Sequence, residues 1–352
     1  MTTIRRWGAA WPAAKTVVGL DIGAMSIRAV ETQRSRNGVG VTAFGQVELA
    51  PGVVRGGVIQ EDQAVSAALR QLWSTVRFRS KDVVLGVTNR QVVVREMSVS
   101  NMPERERREA LATQVRDVLP LPVEQSVLDF YPLEPPGAGA TIRGLLIAAP
   151  KEPVLTAVRA AERAGLRVAG VDLASFALLR AACRLDAAVE AIADIGTHAT
   201  SVVVHCSGVP LIVRTIPRGG QEITEMVARR LGVEAVEAET IKCQLGLRDN
   251  TTVETIEVIK DAVRPLINEI RSSFAYLTSG GQRTQVTRLA LTGGGALLTG
   301  LANALNDQLG VETGIADPLS RLRGTGGQQN EALERGRSSA AVAIGLSLGA
   351  LR

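Results

Sequence analysis

Thr16-Val-Val-Gly-Leu-Asp21-Ile-Gly23 is an apolar run that ends in an Asp-x-Gly turn, and an alternating segment from Ser26 to Glu31 follows it. This pattern predicts a strand, a tight turn and a second strand. The same pattern returns in the second half of the chain, where Ala191-Ile-Ala-Asp194-Ile-Gly196 precedes the apolar run from Thr200 to His205. In each half a turn signal and a third apolar run then extend the hairpin into a meander. The sequence therefore predicts one β unit that is used twice.

An internal repeat of this kind predicts two similar lobes whose equivalent turns face one ligand. The length of 352 residues agrees with this, because a single core rarely extends over so long a chain. The chain is 45% hydrophobic but only 3% aromatic, so its cores must consist mainly of aliphatic side chains in strands and helices. We expect an α/β fold with a flexible leader at residues 1–15, a first lobe at 16–187 and a second lobe at 188–352.

Each lobe is expected to carry a smaller unit. Strand and helix patterns from about residue 98 to about residue 168 predict a small α/β insertion in the first lobe, in which Pro103 precedes a charged helix. In the second lobe, helical patterns between about residues 220 and 285 predict a helical subdomain. The boundaries of both units are expected to shift by a few residues.

Composition argues against several classes of protein. The net charge of +5 is spread along the chain without a basic stripe, which does not favour nucleic-acid binding. Cys183, Cys206 and Cys243 lie far apart and form no CxxC pair, so neither a disulfide framework nor a zinc site is expected. Because no apolar stretch approaches the roughly 20 residues of a membrane-spanning helix, we expect a soluble, cytosolic protein.

The two Asp-x-Gly turns have the residue types that a nucleoside triphosphate requires. Glycine lets backbone N–H groups approach phosphates closely, and an aspartate can reach Mg²⁺ through water. A single Asp-x-Gly is usually only a turn, but two in equivalent positions of a repeat favour a shared site. The candidate phosphate-site residues are Asp21, Gly23, Ser26 and Arg28 in the first lobe, and Asp194, Gly196, Thr197 and Thr200 in the second.

A third glycine-rich turn follows in the second lobe. The apolar strand pattern from Val286 to Leu291 leads into Thr292 and then Gly293, Gly294 and Gly295. Three glycines exceed what a simple strand-to-helix connection needs. We expect them to form a flat backbone surface against which adenine and ribose lie.

The order of these elements resembles the superfamily of actin, heat-shock chaperones and sugar kinases. The segments VVGLDIGAMSIRAVE, VDLASFALLRA, IADIGTHATSVVVH, IPRGGQEITEMVARRLG, EAETIK and LTGGGALLTGLANAL are similar to the PilM family of type IV pilus assembly proteins. The resemblance extends from Val17 to Leu351. It implies a duplicated actin-like ATPase fold of the ribonuclease H-like type, with ATP and Mg²⁺ as ligands.

The resemblance also implies further site residues and a partner. Glu239 and Lys242 would contact the adenosine, although their spacing alone favours a solvated salt bridge. The insertion would bind the N-terminal cytoplasmic tail of the membrane protein PilN as an extended peptide. Leu119, Leu121 and Val123 are the candidate groove residues, although the residues alone favour core packing. The implied location is the cytoplasmic face of the inner membrane. Other pilus assembly proteins, including motor ATPases, are further implied partners, and the chain could also form a homo-oligomer.

Two positions depart from the family pattern. The family usually has serines and a lysine in the first turn, where this chain has Ala24, Met25 and Arg28, so fewer phosphate contacts are expected there. The family also tends to carry a glutamate two residues after Asp172, where this chain has Ala174. If that carboxylate positions the attacking water, ATP hydrolysis here should be slow or absent.

Two alternative functions remain open at this point. A sugar kinase requires a catalytic aspartate and a polar sugar pocket, for which the sequence offers no clear counterpart. A cell-division ATPase of the FtsA type usually ends in an amphipathic membrane-binding helix, whereas this sequence ends at Leu351-Arg352 after its last predicted helix. An ATP-binding scaffold with weak or no ATPase activity is the favoured interpretation.

Overall fold

The computed structural model describes residues 16–351 except 37, 136, 138, 187, 249–252, 280–284 and 323–328. The leader expected at residues 1–15 lies outside the described residues. The chain divides into two compact units, one formed by residues up to 177 together with the chain from 346 onwards, and one formed by residues 178–345.

The first unit contains most of the strands. They are β1 (Thr16–Ile22), β2 (Ser26–Ser35), β3 (Gly38–Glu48), β4 (Val54–Arg55), β5 (Val58–Ile59), β6 (Asp82–Val87), β7 (Val93–Ser100), β8 (Ser126–Pro132), β9 (Thr141–Pro150) and β10 (Arg167–Leu173). Its helices are α1 (Asp62–Thr75), α2 (Glu104–Gln114) and α3 (Lys151–Arg163), with a 3₁₀ turn at Val123–Gln125. The division between the units falls within α4 (Ala174–Ala182) and the last helix, α10 (Ala341–Ala350).

The main sheet of the first unit has the strand order β10-β6-β1-β2-β3. The pairs β1–β2 and β2–β3 are antiparallel, whereas β1, β6 and β10 run parallel. Apolar residues bury the central strands, with Val18 and Leu20 fully buried, and α1 covers the sheet with Leu69 and Leu72. Because β1, β6 and β10 are parallel, their carboxyl ends meet at one edge, which is where ligands bind in sheets of this kind.

The second unit contains a matching set of elements. Its strands are β11 (Val189–Ile195), β12 (Thr200–Cys206), β13 (Val209–Ile216), β14 (Arg288–Thr292) and β15 (Glu312–Ile315). Its helices are α5 (Gly220–Leu231), α6 (Ala235–Leu245), α7 (Val253–Ser279), α8 (Leu301–Leu309) and α9 (Gln329–Gly336), with a 3₁₀ turn at Gly295–Leu297. None of the helices among the described residues has both the length and the apolar composition needed to span a bilayer.

The sheet of the second unit repeats the plan of the first. Its order is β13-β12-β11-β14-β15, with antiparallel pairs β11–β12 and β12–β13 and parallel pairs β11–β14 and β14–β15. The aliphatic core lies between this sheet and α5, α7 and α8, and includes Val202, Leu266 and Leu305. The duplicated α/β unit predicted from the two Asp-x-Gly hairpins is therefore confirmed.

A separate antiparallel sheet lies within the first unit. Its order is β7-β9-β8, and α2 covers it with a small core of its own that includes Val99, Leu111, Val115, Phe130 and Leu146. This insertion subdomain, residues 93–150, is shorter than the range of about 98–168 expected from the sequence. The difference at the carboxyl end arises because α3 packs on α1 instead, where Ser66 Oγ donates to the Ala160 carbonyl at 3.0 Å.

The candidate groove residues lie beside the core of the insertion subdomain. Leu119 and Val123 are partly buried and pack against it. Leu121, between them, is half-buried and outside that packed set. Leu119 and Val123 therefore contribute to packing, and a role of the three residues in partner binding stays a prediction.

A buried polar cluster fixes the starting end of the second sheet. The Glu190 carboxylate on β11 is 1% exposed and accepts hydrogen bonds from Arg288 Nε at 2.8 Å and from the Arg184 N–H at 2.8 Å. It also lies 3.0 Å from His205 Nε2. Since His205 Nδ1 accepts the Gly208 N–H at 3.3 Å, Nε2 carries the proton and donates to Glu190. The cluster thus joins β11, β12 and β14 through one carboxylate.

The electrostatics of this cluster predict a pH dependence of stability. Burial raises the pKa of Glu190, but the hydrogen bonds from His205, Arg184 and Arg288 outweigh burial and hold the pKa below its ordinary value. A depressed folded pKa means that the carboxylate stabilises the fold above the ordinary glutamate pKa, and that this contribution is lost as pH falls through the folded value.

We expect Glu190→Gln to lower the free energy of unfolding by about 2 kcal/mol at neutral pH, because a neutral amide replaces the buried charge that accepts three hydrogen bonds, while Arg288 keeps its ion pair with Asp186. The variant should also lose less stability than the parent on acidification. Urea unfolding followed by circular dichroism between neutral and acidic pH measures both effects. Glu312→Gln, at an exposed position of the same sheet, is the matched control. Equal stabilities of the parent and Glu190→Gln would contradict the assignment.

Candidate functional site

The first Asp-x-Gly turn connects β1 to β2. The Gly23 N–H donates to the Ser26 carbonyl at 3.0 Å and closes the turn, and the strand register places Asp21 opposite Arg28. Arg28 Nη1 lies 4.0 Å from the Asp21 carboxylate, while its Nε donates to Gln46 at 3.0 Å. Ser26 is buried at 4% exposure. The structure thus brings all four candidates of the first unit to one turn.

The second turn, between β11 and β12, has the same construction. The Gly196 N–H donates to the carbonyl of Ala199, three residues later, at 3.0 Å. The Gly23 N–H bonds to the carbonyl of Ser26 with the same spacing in the first turn. Thr292 Oγ1, at the end of β14, donates to Asp194 Oδ1 at 3.0 Å. The buried Thr200 hydroxyl donates to the Arg218 carbonyl at 2.8 Å, so its hydrogen is used within the fold. Asp194 and Thr197 therefore remain the candidates in this turn whose polar side chains could contact a ligand.

The start of α5 is fastened to the second turn. The Gly220 N–H donates to the Gly196 carbonyl and the Gln221 N–H to the Thr197 carbonyl, each at 2.9 Å. A Cβ on Gly219 would lie 2.4 Å from the Gly196 carbonyl oxygen, so the close approach requires glycine there. Gly219 was not among the site residues predicted from the sequence. The Gly-Gly pair directly before a helix was the signal that could have found it.

The glycine turn after β14 lies against the same aspartate. Gly293 has φ of +85°, and a Cβ there would lie 2.5 Å from the Ile195 carbonyl oxygen and 2.8 Å from Asp194 Oδ1. Gly294 differs, because it is exposed and a Cβ there would meet no heavy atom within 4 Å. The turn therefore packs closely on one side and presents bare backbone to open space on the other, which fits the flat surface expected for a base and a ribose.

Glu239 and Lys242 lie on α6 and form an ion pair of 2.6 Å. Lys242 is 8% exposed, and its ammonium also donates to the Gly220 carbonyl at 3.1 Å and to Thr224 Oγ1 at 2.9 Å. An ammonium has three hydrogens, and these three contacts use all of them. Lys242 therefore anchors α6 to the start of α5, whereas the half-exposed Glu239 is the member of the pair that can reach a ligand.

Thr224 is a residue of this group that the sequence analysis missed. It contacts both Glu239 and Lys242 and lies one helical turn into α5. Partial burial raises the pKa of Glu239, but hydrogen bonds from Lys242 and Thr224 outweigh burial and hold the pKa below its ordinary value. Glu239 is therefore ionised at neutral pH and can accept hydrogen bonds from the hydroxyls of a sugar.

The end of α6 is joined to the segment between the glycine turn and α8, because the Leu247 N–H donates to the Thr299 carbonyl at 2.8 Å. The Asp194 turn, the start of α5, α6 and the glycine turn thus form one connected set within the second unit. We call this set the second-unit wall; its members are Asp194, Gly196, Thr197, Gly219, Gly220, Thr224, Glu239, Lys242, Gly293, Gly294 and Gly295. The wall combines free backbone, a carboxylate at a strand end and an ionised glutamate, a combination that suits a polyanion with a divalent cation.

Among the described residues, no group of three or more His, Cys, Asp or Glu side chains is placed to hold a metal ion without other ligands. A Mg²⁺ ion at Asp21 or Asp194 would therefore need water and phosphate oxygens for most of its ligands, as Mg²⁺ usually does. The convergence of Asp21 and Asp194 on one ligand stays a prediction.

The profile of the family described as type IV pilus assembly protein PilM matches residues 19–351. The chain belongs to the PilM family. A solved structure described as the PilM–PilN type IV pilus biogenesis complex is similar, with 29% identity, a TM-score of 0.85, and coverage of 97% of this chain and 100% of that chain.

More distant relatives show that this PilM family member has the actin-like ATPase fold. Cell division protein FtsA of Bacillus subtilis (strain 168) is 24% identical over 86% of this chain and 78% of its own length. MreB5 of Spiroplasma citri, solved with bound ADP, is 16% identical with a TM-score of 0.54 and coverage of 96% of each chain. The family and the fold class inferred from the sequence are both confirmed.

At the position where a family glutamate was expected, this family member has a small, buried side chain. Ala174 is the first residue of α4 and is 2% exposed, directly after β10. The neighbouring Asp172 is 4% exposed, and its Oδ1 accepts the Leu173 N–H at 2.8 Å. A buried methyl group therefore stands at the position where the resemblance to the family predicts a carboxylate.

Two glycine substitutions test the construction of the glycine turn without any ligand. Gly293→Ala should lower the free energy of unfolding by about 2 kcal/mol or more, because it combines a left-handed backbone conformation with a clash against the Asp194 turn. Gly294→Ala should change it by less than about 0.5 kcal/mol, because Gly294 has right-handed φ and open space around it. Urea unfolding followed by circular dichroism compares them, and equal losses would contradict the described packing.

Proposed function

We propose that this protein is an ATP-binding, actin-like scaffold of type IV pilus assembly that holds Mg²⁺·ATP and binds the N-terminal tail of PilN. The observation that carries the nucleotide part is the second-unit wall. Its glycine turn exposes the backbone at Gly294 and packs directly on the Asp194 turn. A nucleotide needs an exposed backbone surface for its base and ribose directly beside a turn that can contact its phosphates.

The chemistry of the wall supports the assignment of individual roles. Gly196 would let the turn approach the phosphates closely, Thr197 would offer them its hydroxyl, and Asp194, held by Thr292, would reach Mg²⁺ through water. Ionised Glu239 would accept hydrogen bonds from ribose hydroxyls. The first turn, with Asp21, Gly23, Ser26 and Arg28, would contact the phosphates from the first unit.

Slow or absent hydrolysis is part of the proposal. An attacking water needs a polar group that orients it, and the buried methyl of Ala174 cannot do this. The protein would therefore use ATP mainly as a structural ligand. A scaffold needs a stable conformation. Bound ATP would stabilise one conformation for as long as it is not hydrolysed.

The insertion subdomain is the proposed docking site for PilN. The PilM–PilN complex, which shares this fold over nearly the whole chain, supports PilN as the partner. The subdomain has edge strands β7 and β8, each paired on one side only within their sheet, and an extended peptide can add to such an edge. Through PilN the protein would reside at the cytoplasmic face of the inner membrane.

The nucleotide site is tested by Asp194→Asn, which removes one charge without changing the shape of the side chain. We expect the affinity for Mg²⁺·ATP, measured by isothermal titration calorimetry, to fall at least about tenfold, because the magnesium contact loses its negative charge. Asp307→Asn, at an exposed position of α8 in the same unit, is the matched control and should leave affinity unchanged. Undiminished binding by Asp194→Asn would defeat the assigned site.

The partner site is tested with a peptide that comprises the N-terminal cytoplasmic tail of PilN from the same organism. Leu121→Asp should weaken its binding, measured by fluorescence anisotropy, at least about tenfold, because a charge replaces an apolar contact in the proposed groove. Val236→Asp, at an exposed apolar position of α6 in the other unit, is the control. Unchanged affinity of Leu121→Asp contradicts the groove, and no binding by the parent protein contradicts the partner.

A further inference from the structure

A small cavity of about 30 Å³ lies at the carboxyl edge of the first-unit sheet. It is lined by Asp21 at the end of β1, Asn89 just beyond β6, and Pro150 and Val154 at the start of α3. The turn between β4 and β5 closes it through Gly57, which packs so closely on the Thr88 carbonyl that a Cβ there would lie 1.5 Å from that oxygen. The cavity is therefore built from five separate elements around the first candidate aspartate.

Asn89 has an unusual position in this cavity. Asn89 is 3% exposed, and its Oδ1 accepts a hydrogen bond from the Gln91 N–H at 2.8 Å. This bond fixes the orientation of the side-chain amide, because only the oxygen can accept it. The amide nitrogen, Nδ2, is buried and has no hydrogen-bond acceptor among the described residues. A buried amide donor without an acceptor is costly and rare in folded proteins, so we expect Asn89 to have a partner, and the cavity that Asn89 lines has room for one.

The chemistry of the lining limits what that partner can be. The Asn89 N–H groups are donors, which repel a cation and exclude direct metal coordination by this atom. The Asp21 carboxylate disfavours a free anion at the same place. A water molecule can accept from Asn89 and donate to Asp21, and a volume of about 30 Å³ holds about two waters.

We infer that Asn89 holds water against the Asp21 carboxylate and is thereby a positioning residue for the Mg²⁺ ion of the nucleotide. This inference rests on the proposed function, because Asp21 would reach that ion through water. Arg28, on β2, lies 4.0 Å from Asp21, and the water held by Asn89 approaches from the cavity at the carboxyl ends of β1 and β6. Two polar contacts from different strands then set the direction of the carboxylate before the ion arrives, which lowers the cost of binding it.

The test compares the ATP affinity of the full-length protein with excess Mg²⁺ and with EDTA, measured by isothermal titration calorimetry. The ratio of the two affinities is the magnesium enhancement. Asn89→Ala should reduce this enhancement about three- to tenfold, the effect of losing one hydrogen bond, while the affinity in EDTA stays unchanged. Asn89→Ser should retain most of the enhancement, because its hydroxyl can accept the Gln91 N–H and still donate to water.

Gln91→Ala is the matched control, because it leaves the backbone N–H that bonds to Asn89 and alters only an exposed side chain. An unchanged enhancement in Asn89→Ala, with the parent protein binding ATP, overturns this inference and leaves the nucleotide site standing. A parallel loss of affinity with and without Mg²⁺ also overturns it, since packing alone would explain that result. If the parent binds no ATP in either condition, the nucleotide site is overturned and this inference with it.

Discussion

The contact between two backbone turns in the second unit is the constraint on which the rest of the site depends. The Asp194 turn and the glycine turn after β14 approach so closely that only glycine fits at Gly293, and the Thr292 hydroxyl then holds the aspartate in place. The parallel pairing of β11 with β14 brings the two turns together, with Asp194 opposite Thr292 in the register. Sheet topology, glycine chemistry and the direction of the carboxylate are thus determined by one set of contacts.

One strand joins this site to the polar cluster that stabilises the sheet. Glu190 and Asp194 are four residues apart on β11, so they lie on the same face about 13 Å from each other. Glu190 is enclosed by three donors and is fully satisfied by the protein. Asp194 lies at the carboxyl end, where parallel strands present their side chains to ligands. The same residue type therefore has a structural task at one end of the strand and, in our proposal, a binding task at the other.

The sequence was most informative where function depends on local chemistry. Both Asp-x-Gly hairpins and the glycine turn could be predicted, because each needs only a few neighbouring residues to specify its conformation. Gly219, Thr224 and Asn89 could not be assigned, because their roles depend on partners from other elements. Gly219 faces the Gly196 turn, Thr224 faces Lys242, and Asn89 shares a cavity with Asp21. The helix α3 was placed in the insertion for the same reason, since its packing against α1 is a long-range contact.

The self-contained core of the insertion subdomain has a consequence for how this family can diversify. Val99, Leu111 and Phe130 pack among themselves and their neighbours within residues 93–150, so substitutions on the surface of that module away from Pro150 should be energetically nearly independent of the Asp-x-Gly turns. In our proposal this module binds PilN, so its surface could change along with that partner, residue by residue, while the proposed nucleotide site stays unchanged. Exchange of whole modules between orthologues would follow the same logic.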